Sequence, residues 1–163
     1  MDKDISIKRS NPGLPIKAHP HAKLLSALVA LSLLSCGVKP EPLNIGKDAC
    51  YTCKMTIMDK RFGAEIVTKK GKVYKFDDLN CMMNFSNSEF EEEEDIAYRL
   101  VVDFAHPEKL IDATQAFYSQ SEYVKSPMAS HFAAFEKKED VNTFNKELEG
   151  VILKWEEIEE QFK

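Results

Sequence analysis

The sequence predicts an α+β fold built from two small β-β-α-β modules packed together. Three observations carry this prediction. Two β-rich runs, Ala64–Thr68 and Lys72–Phe76, are separated by Lys69-Lys70-Gly71, a glycine-containing link of hairpin length. An apolar helical pattern and a further β-rich run, Arg99–Phe104, follow them, and a comparable order returns later in the chain without visible sequence identity. Finally, 163 residues with 44% hydrophobic and 30% charged content suit one ordinary domain or two small modules sharing a core.

The N-terminal segment is read apart from the fold. Leu24–Leu34 is an uncharged apolar run of eleven residues preceded by Lys8, Arg9, Lys17 and Lys23, the pattern of an export signal. It is about half of the roughly 20 residues that a permanent spanning helix needs. Leu33-Leu34-Ser35-Cys36-Gly37 resembles the bacterial lipobox, in which the cysteine becomes the acylated first residue of the mature protein. The predicted organisation is therefore a lipoprotein signal peptide over 1–35, a lipidated N-terminus and tether over 36–47, a first module over 48–105 and a second over 106–163. Val38–Leu43 contains Pro40 and Pro42, which stiffen the tether.

Within the first module, Asp77 or Asp78 is placed to cap a helix whose one face carries Leu79, Met82 and Met83. That helix is expected to fade between Asn84 and Ser88. Glu89–Asp95 is almost wholly acidic and reads as a solvated linker, because it lacks the spaced carboxylates and glycine of a calcium loop. His106-Pro107 should stop the strand over Arg99–Phe104, with His106 in a loop.

In the second module, Leu110–Tyr123 fits either a strand or a short helix, and Ser130–Phe135 reads as a strand. Asp140 is placed to cap a helix in which Val141, Phe144 and Leu148 share a face, with Gly150 set to end it. Val151–Trp155 is expected as the closing strand.

Charge bounds the partners. Of 22 basic and 27 acidic residues, five (Lys3, Lys8, Arg9, Lys17, Lys23) and two (Asp2, Asp4) precede Cys36, so the mature chain carries 17 against 25, a net charge of −8. Phosphate backbones should repel it, which excludes nucleic acid as a partner, and membrane attachment should come through acyl chains on Cys36. Acylation of Cys36 leaves Cys50, Cys53 and Cys81, an odd number for an exported chain, which leans toward a metal over a disulfide scaffold.

Cys50-Tyr51-Thr52-Cys53-Lys54-Met55 is the chemically distinctive stretch. A Cys-x-x-Cys pair has three common readings: half of a structural zinc site, a thiol redox pair, or a soft-metal site. A thioredoxin-type pair opens a helix directly after a strand, and nothing before Cys50 reads as a strand. A zinc site would have to recruit Cys81 with His106 or His131. Met55 favours copper(I), since a thioether serves copper(I) and not zinc. Cys81 stands between core packing and ligation, His131 is a further candidate ligand, and Met82 and Met83 are assigned to the core. Asp77 and Asp78 are assigned to capping, because carboxylates are poor partners for copper(I).

Asp48–Met55, Phe76–Met82, Asp112-Ala113 with Ala116 and Tyr118, Ser126-Pro127-Met128 and Ala134-Phe135 together resemble the NosL family of bacterial lipoproteins that bind copper and assist maturation of nitrous oxide reductase. The resemblance runs from the lipobox to Trp155. It implies a periplasmic, membrane-anchored copper(I) chaperone with paired β-β-α-β modules, a fold similar to organomercury lyase and no catalysis of its own. Its partner would be a copper-accepting metalloenzyme or the assembly apparatus of one. Carried over, Cys53 and Met55 match the family's Cys-Gly-Met signature, with Cys50 leading the pair, and Met128 matches its Pro-Met. Lys54 stands where the signature has glycine, and Ala129 replaces the glycine that often follows Pro-Met.

Overall fold

The structure is a computed structural model and describes residues 37–90 and 95–163. The expected export signal and Cys36 lie outside the described residues. Among the described residues, seven strands and three helices follow in chain order: β1 (Ala64–Thr68), β2 (Val73–Phe76), α1 (Leu79–Glu89), β3 (Ile96–Asp103), β4 (His106–Asp112), β5 (Phe117–Gln120), β6 (Phe132–Phe135), α2 (Lys138–Leu148), β7 (Val151–Leu153) and α3 (Trp155–Gln161). They form two antiparallel sheets, ordered β2-β1-β3-β4 and β6-β5-β7, within one compact unit that spans Val38–Lys163.

The expected pair of modules is present. In β1-β2-α1-β3 and in β5-β6-α2-β7, the first strand lies at the centre with the second and third strands on either side. Strand alternation puts Ala64 and Ile66 of β1 in the main core with Phe76 and with Leu79, Met82, Met83 and Phe85 of α1. A second core cluster joins Phe62, Val124, Ala133, Phe135 and Val141.

Several elements differ from expectation, each for an identifiable reason. Helix α1 continues to Glu89 because Phe85, near its end, packs against Tyr51, Tyr74, Phe76 and Phe90. Strand β3 ends at Asp103, ahead of His106-Pro107 as expected, but His106 is not a loop residue: it opens β4, an edge strand, where the missing N–H of Pro107 is tolerated. The residue 105/106 junction therefore falls inside the β3–β4 hairpin, where Asp103 pairs with His106. Asp140 lies in the first turn of α2 and is not its cap, a position held by Lys137. Glu149 takes the left-handed conformation that ends α2, with φ 49°. Gly150 is needed for a different reason, since a Cβ there would collide with the Ser119 hydroxyl. Trp155 opens α3 instead of closing a strand, with Glu157 accepting from the Lys154 amide at 2.8 Å and with Trp155 and Ile158 buried one turn apart.

From Glu41 onward the tether is strapped to the first sheet. The Glu41 amide donates to Glu65 Oε1 at 3.0 Å, and Leu43 packs over Gly63 against the core. Lys75 Nζ reaches Asp48 at 2.9 Å, the Pro42 carbonyl at 3.0 Å and Glu41 at 3.3 Å.

Candidate metal centre

The Cys50–Met55 turn closes a short antiparallel ladder. Ala49 bridges Thr56, the Cys50 amide donates to the Met55 carbonyl at 2.8 Å, and the Ile57 amide donates to the Asp48 carbonyl at 2.9 Å. Two bonds fix this turn to the first module. The Tyr51 amide donates to the Lys75 carbonyl of β2 at 2.8 Å, and the Thr52 hydroxyl donates to the Cys81 carbonyl of α1 at 2.9 Å. Lys54 sits at φ 65°, a left-handed conformation that glycine adopts without cost. Its ammonium is held over the Tyr51 ring, 4.2 Å from the centroid.

The turn and the start of α1 bring together Cys50, Cys53, Cys81 and Asp77, whose ligand atoms all lie within 4.8 Å of one another. Among the described residues this is the one group of three or more His, Cys, Asp or Glu side chains so placed. A metal–sulfur bond of about 2.3 Å keeps the donors of a shared ion within about 4.6 Å of each other. The cluster is therefore near a binding geometry without large rearrangement. Cys50, Cys81 and Asp77 are buried, while Cys53 is half-buried.

The electrostatics favour one thiolate in advance of any metal. Cys81 hydrogen-bonds Cys50 and brings its pKa down to about 6, against the opposing effect of burial. The same bond, together with burial, pushes the Cys81 thiol up. Burial likewise raises Cys53, whose thiol donates to Asp77 Oδ2 at 3.4 Å. The second Asp77 oxygen is buried without a hydrogen-bond partner. All three cysteines are free thiols.

Met55 is 47% exposed at the end of the turn. Met128 is half-buried against the core, and its backbone is tied to the start of α1: its amide donates to Asp78 Oδ2 at 2.7 Å and its carbonyl accepts from Asn80 Nδ2 at 3.2 Å. Ala129 follows at φ 54°, so both positions where the resemblance expects glycine are left-handed. His131 lies outside the cluster, its Nδ1 bonded to the Val124 carbonyl at 3.0 Å and its Nε2 3.8 Å from Glu122. The zinc reading wanted a histidine beside the thiols, and the cluster offers a carboxylate instead. Met82 and Met83 are buried in the core.

Asp77 is the residue that sequence reasoning missed as a neighbour of the thiols. Asp78 caps α1 by accepting from the Asn80 amide at 3.0 Å, which leaves Asp77 free for the cluster. The tandem was the available signal, since a helix needs one cap and two aspartates precede this one.

The sequence profile of the NosL family matches residues 42–162. The chain belongs to the NosL family. This NosL-family chain is also similar to a solved structure described as the copper chaperone NosL from Shewanella denitrificans, with 19% identity, a TM-score of 0.62, and coverage of 74% of this chain and 95% of that one. That likeness shows a shared fold. No curated protein matches the chain.

Proposed function

We propose that this NosL-family protein is an exported, acylated carrier of copper(I). One observation carries the reading: three free thiols and a buried carboxylate converge within 4.8 Å beneath a turn that also bears an exposed methionine. Thiolate and thioether are the donors that suit copper(I). Cys50, Cys53 and Cys81 would form the buried part of the site, and Met55 and Met128 would supply thioethers from the turn and from the second half of the chain. Membership of the family and the likeness to a copper chaperone support copper as the cargo.

The arrangement suits a carrier better than a catalyst. With its pKa brought down to about 6, Cys50 should carry a thiolate at neutral pH before the ion arrives, which leaves fewer protons to be lost on loading. Asp77 accepts from Cys53 and holds that sulfur toward the cluster without being a good copper(I) ligand itself. Cys53 and Met55, on the outer side, are the groups an acceptor's ligands would reach first, which allows transfer by ligand exchange. The acceptor in this reading is a metalloenzyme undergoing assembly, nitrous oxide reductase being the one the family resemblance implies. Acyl chains on Cys36 would hold the carrier at the membrane with its body in the periplasm. No helix among the described residues is long and apolar enough to cross a membrane.

The experiment is copper(I) titration of the 38–163 unit under anaerobic, reducing conditions against a chromophoric chelator. The expected result is tight one-to-one binding, weakened at least tenfold, about 1.4 kcal/mol, by Cys53→Ser and by Cys81→Ser, and less by Met55→Leu or Met128→Leu. Failure to compete with the chelator would remove the reading. A structural zinc centre is the second reading, favoured by the Asp77 carboxylate beside three thiols. It would show as stoichiometric zinc after purification and unfolding on chelation.

A further inference from the structure

The ladder that carries the thiol turn has a second end. There the Gly46 amide donates to the Ile57 carbonyl at 2.8 Å, which brings Ile45 and Met58 to the same end of the ladder. Met58 is 70% exposed, more than any other large apolar side chain among the described residues, and Ile45 is 39% exposed. Ile45 also lines an open groove of about 300 Å³, together with Pro42, Leu43, Lys60, Pro107 and Leu110 among others. The copper reading makes no use of this surface. Exposed apolar groups of this size, gathered at one place beside a groove, mark a contact surface.

Position along the chain selects the occupant. Pro42 lies six residues after Cys36, a reach of at most roughly 20 Å. The strap then fixes the chain to β1 and β2 at Glu41, Leu43 and Asp48, so the groove face is held near whatever holds Cys36. Charge agrees with a lipid surface. Lys47, two residues after Ile45, and Lys60, in the groove lining, are exposed, while Asp59 is paired with Arg61, Glu41 and Asp48 share Lys75, and Glu108 is the acidic residue in the groove lining.

We propose that Ile45, Met58 and the rim of this groove form a membrane-contact face, seated at the headgroup level of the phospholipid bilayer, with the flanking lysines on anionic headgroups. The proposal rests on acylation of Cys36. Its consequence is orientation. Gly46, bonded to Ile57, and Cys50, bonded to Met55, stand at opposite ends of the ladder, so contact at the Ile45 and Met58 end sets the thiol turn at the end away from the bilayer, toward a soluble acceptor. A side chain such as methionine supplies modest interfacial affinity, which is enough when an anchor already holds the body at the surface.

The test uses the compact 38–163 unit with a hexahistidine ahead of Val38, captured on nickel-chelating lipid in phosphatidylethanolamine/phosphatidylglycerol vesicles. Met58→Trp reports contact through quenching by brominated acyl chains, Tyr123→Trp is the exposed control, and Trp155 is buried and gives a constant background. The expected result is loss of about half of the emission of the Met58→Trp reporter, little change in the Tyr123→Trp control, and recovery of the reporter's emission when Ile45→Glu is added. Quenching of the reporter no greater than that of the control would overturn the proposal. Membrane partition of the full chain and of Cys36→Ala is measured in parallel. If the cysteine proves dispensable, the anchor reading fails, and the Met58→Trp readout still decides whether this face touches lipid.

Discussion

Asp78 and Met128 are joined across 50 residues by a 2.7 Å hydrogen bond from the Met128 amide to the Asp78 carboxylate, whose other oxygen accepts from the Asn80 amide at 3.0 Å. One buried side chain thus caps α1 and anchors the Pro-Met segment to the start of that helix. Asp78→Ala should cost about 1 kcal/mol for the lost cap, and a further 1 kcal/mol or so for the hydrogen bond lost by the part-buried Met128 amide. It should also weaken copper(I) binding while all three cysteines remain. Hydrogen exchange checks the cause, because the Met128 amide should lose protection in the variant.

Lys54 and Ala129 both occupy left-handed backbone, at φ 65° and 54°. An L-residue pays about 1–2 kcal/mol there, from which the greater unfolded-state freedom of glycine subtracts up to about 1 kcal/mol. Ala129→Gly should therefore stabilise the fold by several tenths to about 1 kcal/mol. Lys54→Gly should gain less, because it also removes the ammonium from the Tyr51 ring, a contact worth about 0.5–1 kcal/mol at an exposed site. Chemical denaturation of the two variants should rank them in that order.

These two positions also show what the sequence could and could not reveal. Motif comparison marked both as glycine positions occupied by something else, but a motif carries no φ, and only the structure shows that both are left-handed. The strands at Ala64–Thr68 and Phe132–Phe135 were legible because a short run rich in apolar residues is a local signal, helped at the first by the glycine-containing link after it. Strand β4 was not, because a proline that stops a central strand is harmless at a sheet edge, and edge position is a tertiary property. The site divided in the same way. Cys50, Cys53 and Met55 are neighbours in sequence, whereas Cys81 reaches them through the Thr52 bond to α1, and Asp77 could be separated from Asp78 only once the cap was assigned.

The Cys50–Cys81 pair predicts a titration. With Cys50 brought to about 6 by the hydrogen bond from Cys81, one thiolate should be present at neutral pH and should disappear as pH falls through that value. Cys81→Ala removes the largest of these influences and leaves burial set against the backbone hydrogen bonds of Cys53 and Asp77, so the Cys50 transition should move up toward the ordinary thiol range. Thiolate absorbance near 240 nm, followed against pH in both proteins without metal, checks the shift. A transition that stays near 6 in Cys81→Ala would assign the effect to another group.

Glu65, fully buried in the central strand β1, makes stability depend on acid in the opposite sense from an ion-paired carboxylate. Burial raises its pKa, and neither the Glu41 amide bonded to Oε1 nor the nearby Lys75 offsets it, while Oε2 has no hydrogen-bond partner. A carboxyl raised on folding favours the folded state below the unfolded value, 4.5, and loses that contribution as pH rises through the folded value. Glu65→Gln keeps an oxygen for the Glu41 amide and removes the buried charge. It should raise the unfolding midpoint at neutral pH, and the gain should vanish below about pH 4.5, where glutamate is itself protonated in both states. Denaturation of the 38–163 unit and its variant at pH 4 and pH 7 checks the sign, and an equal gain at both values would assign the effect to packing and not to charge.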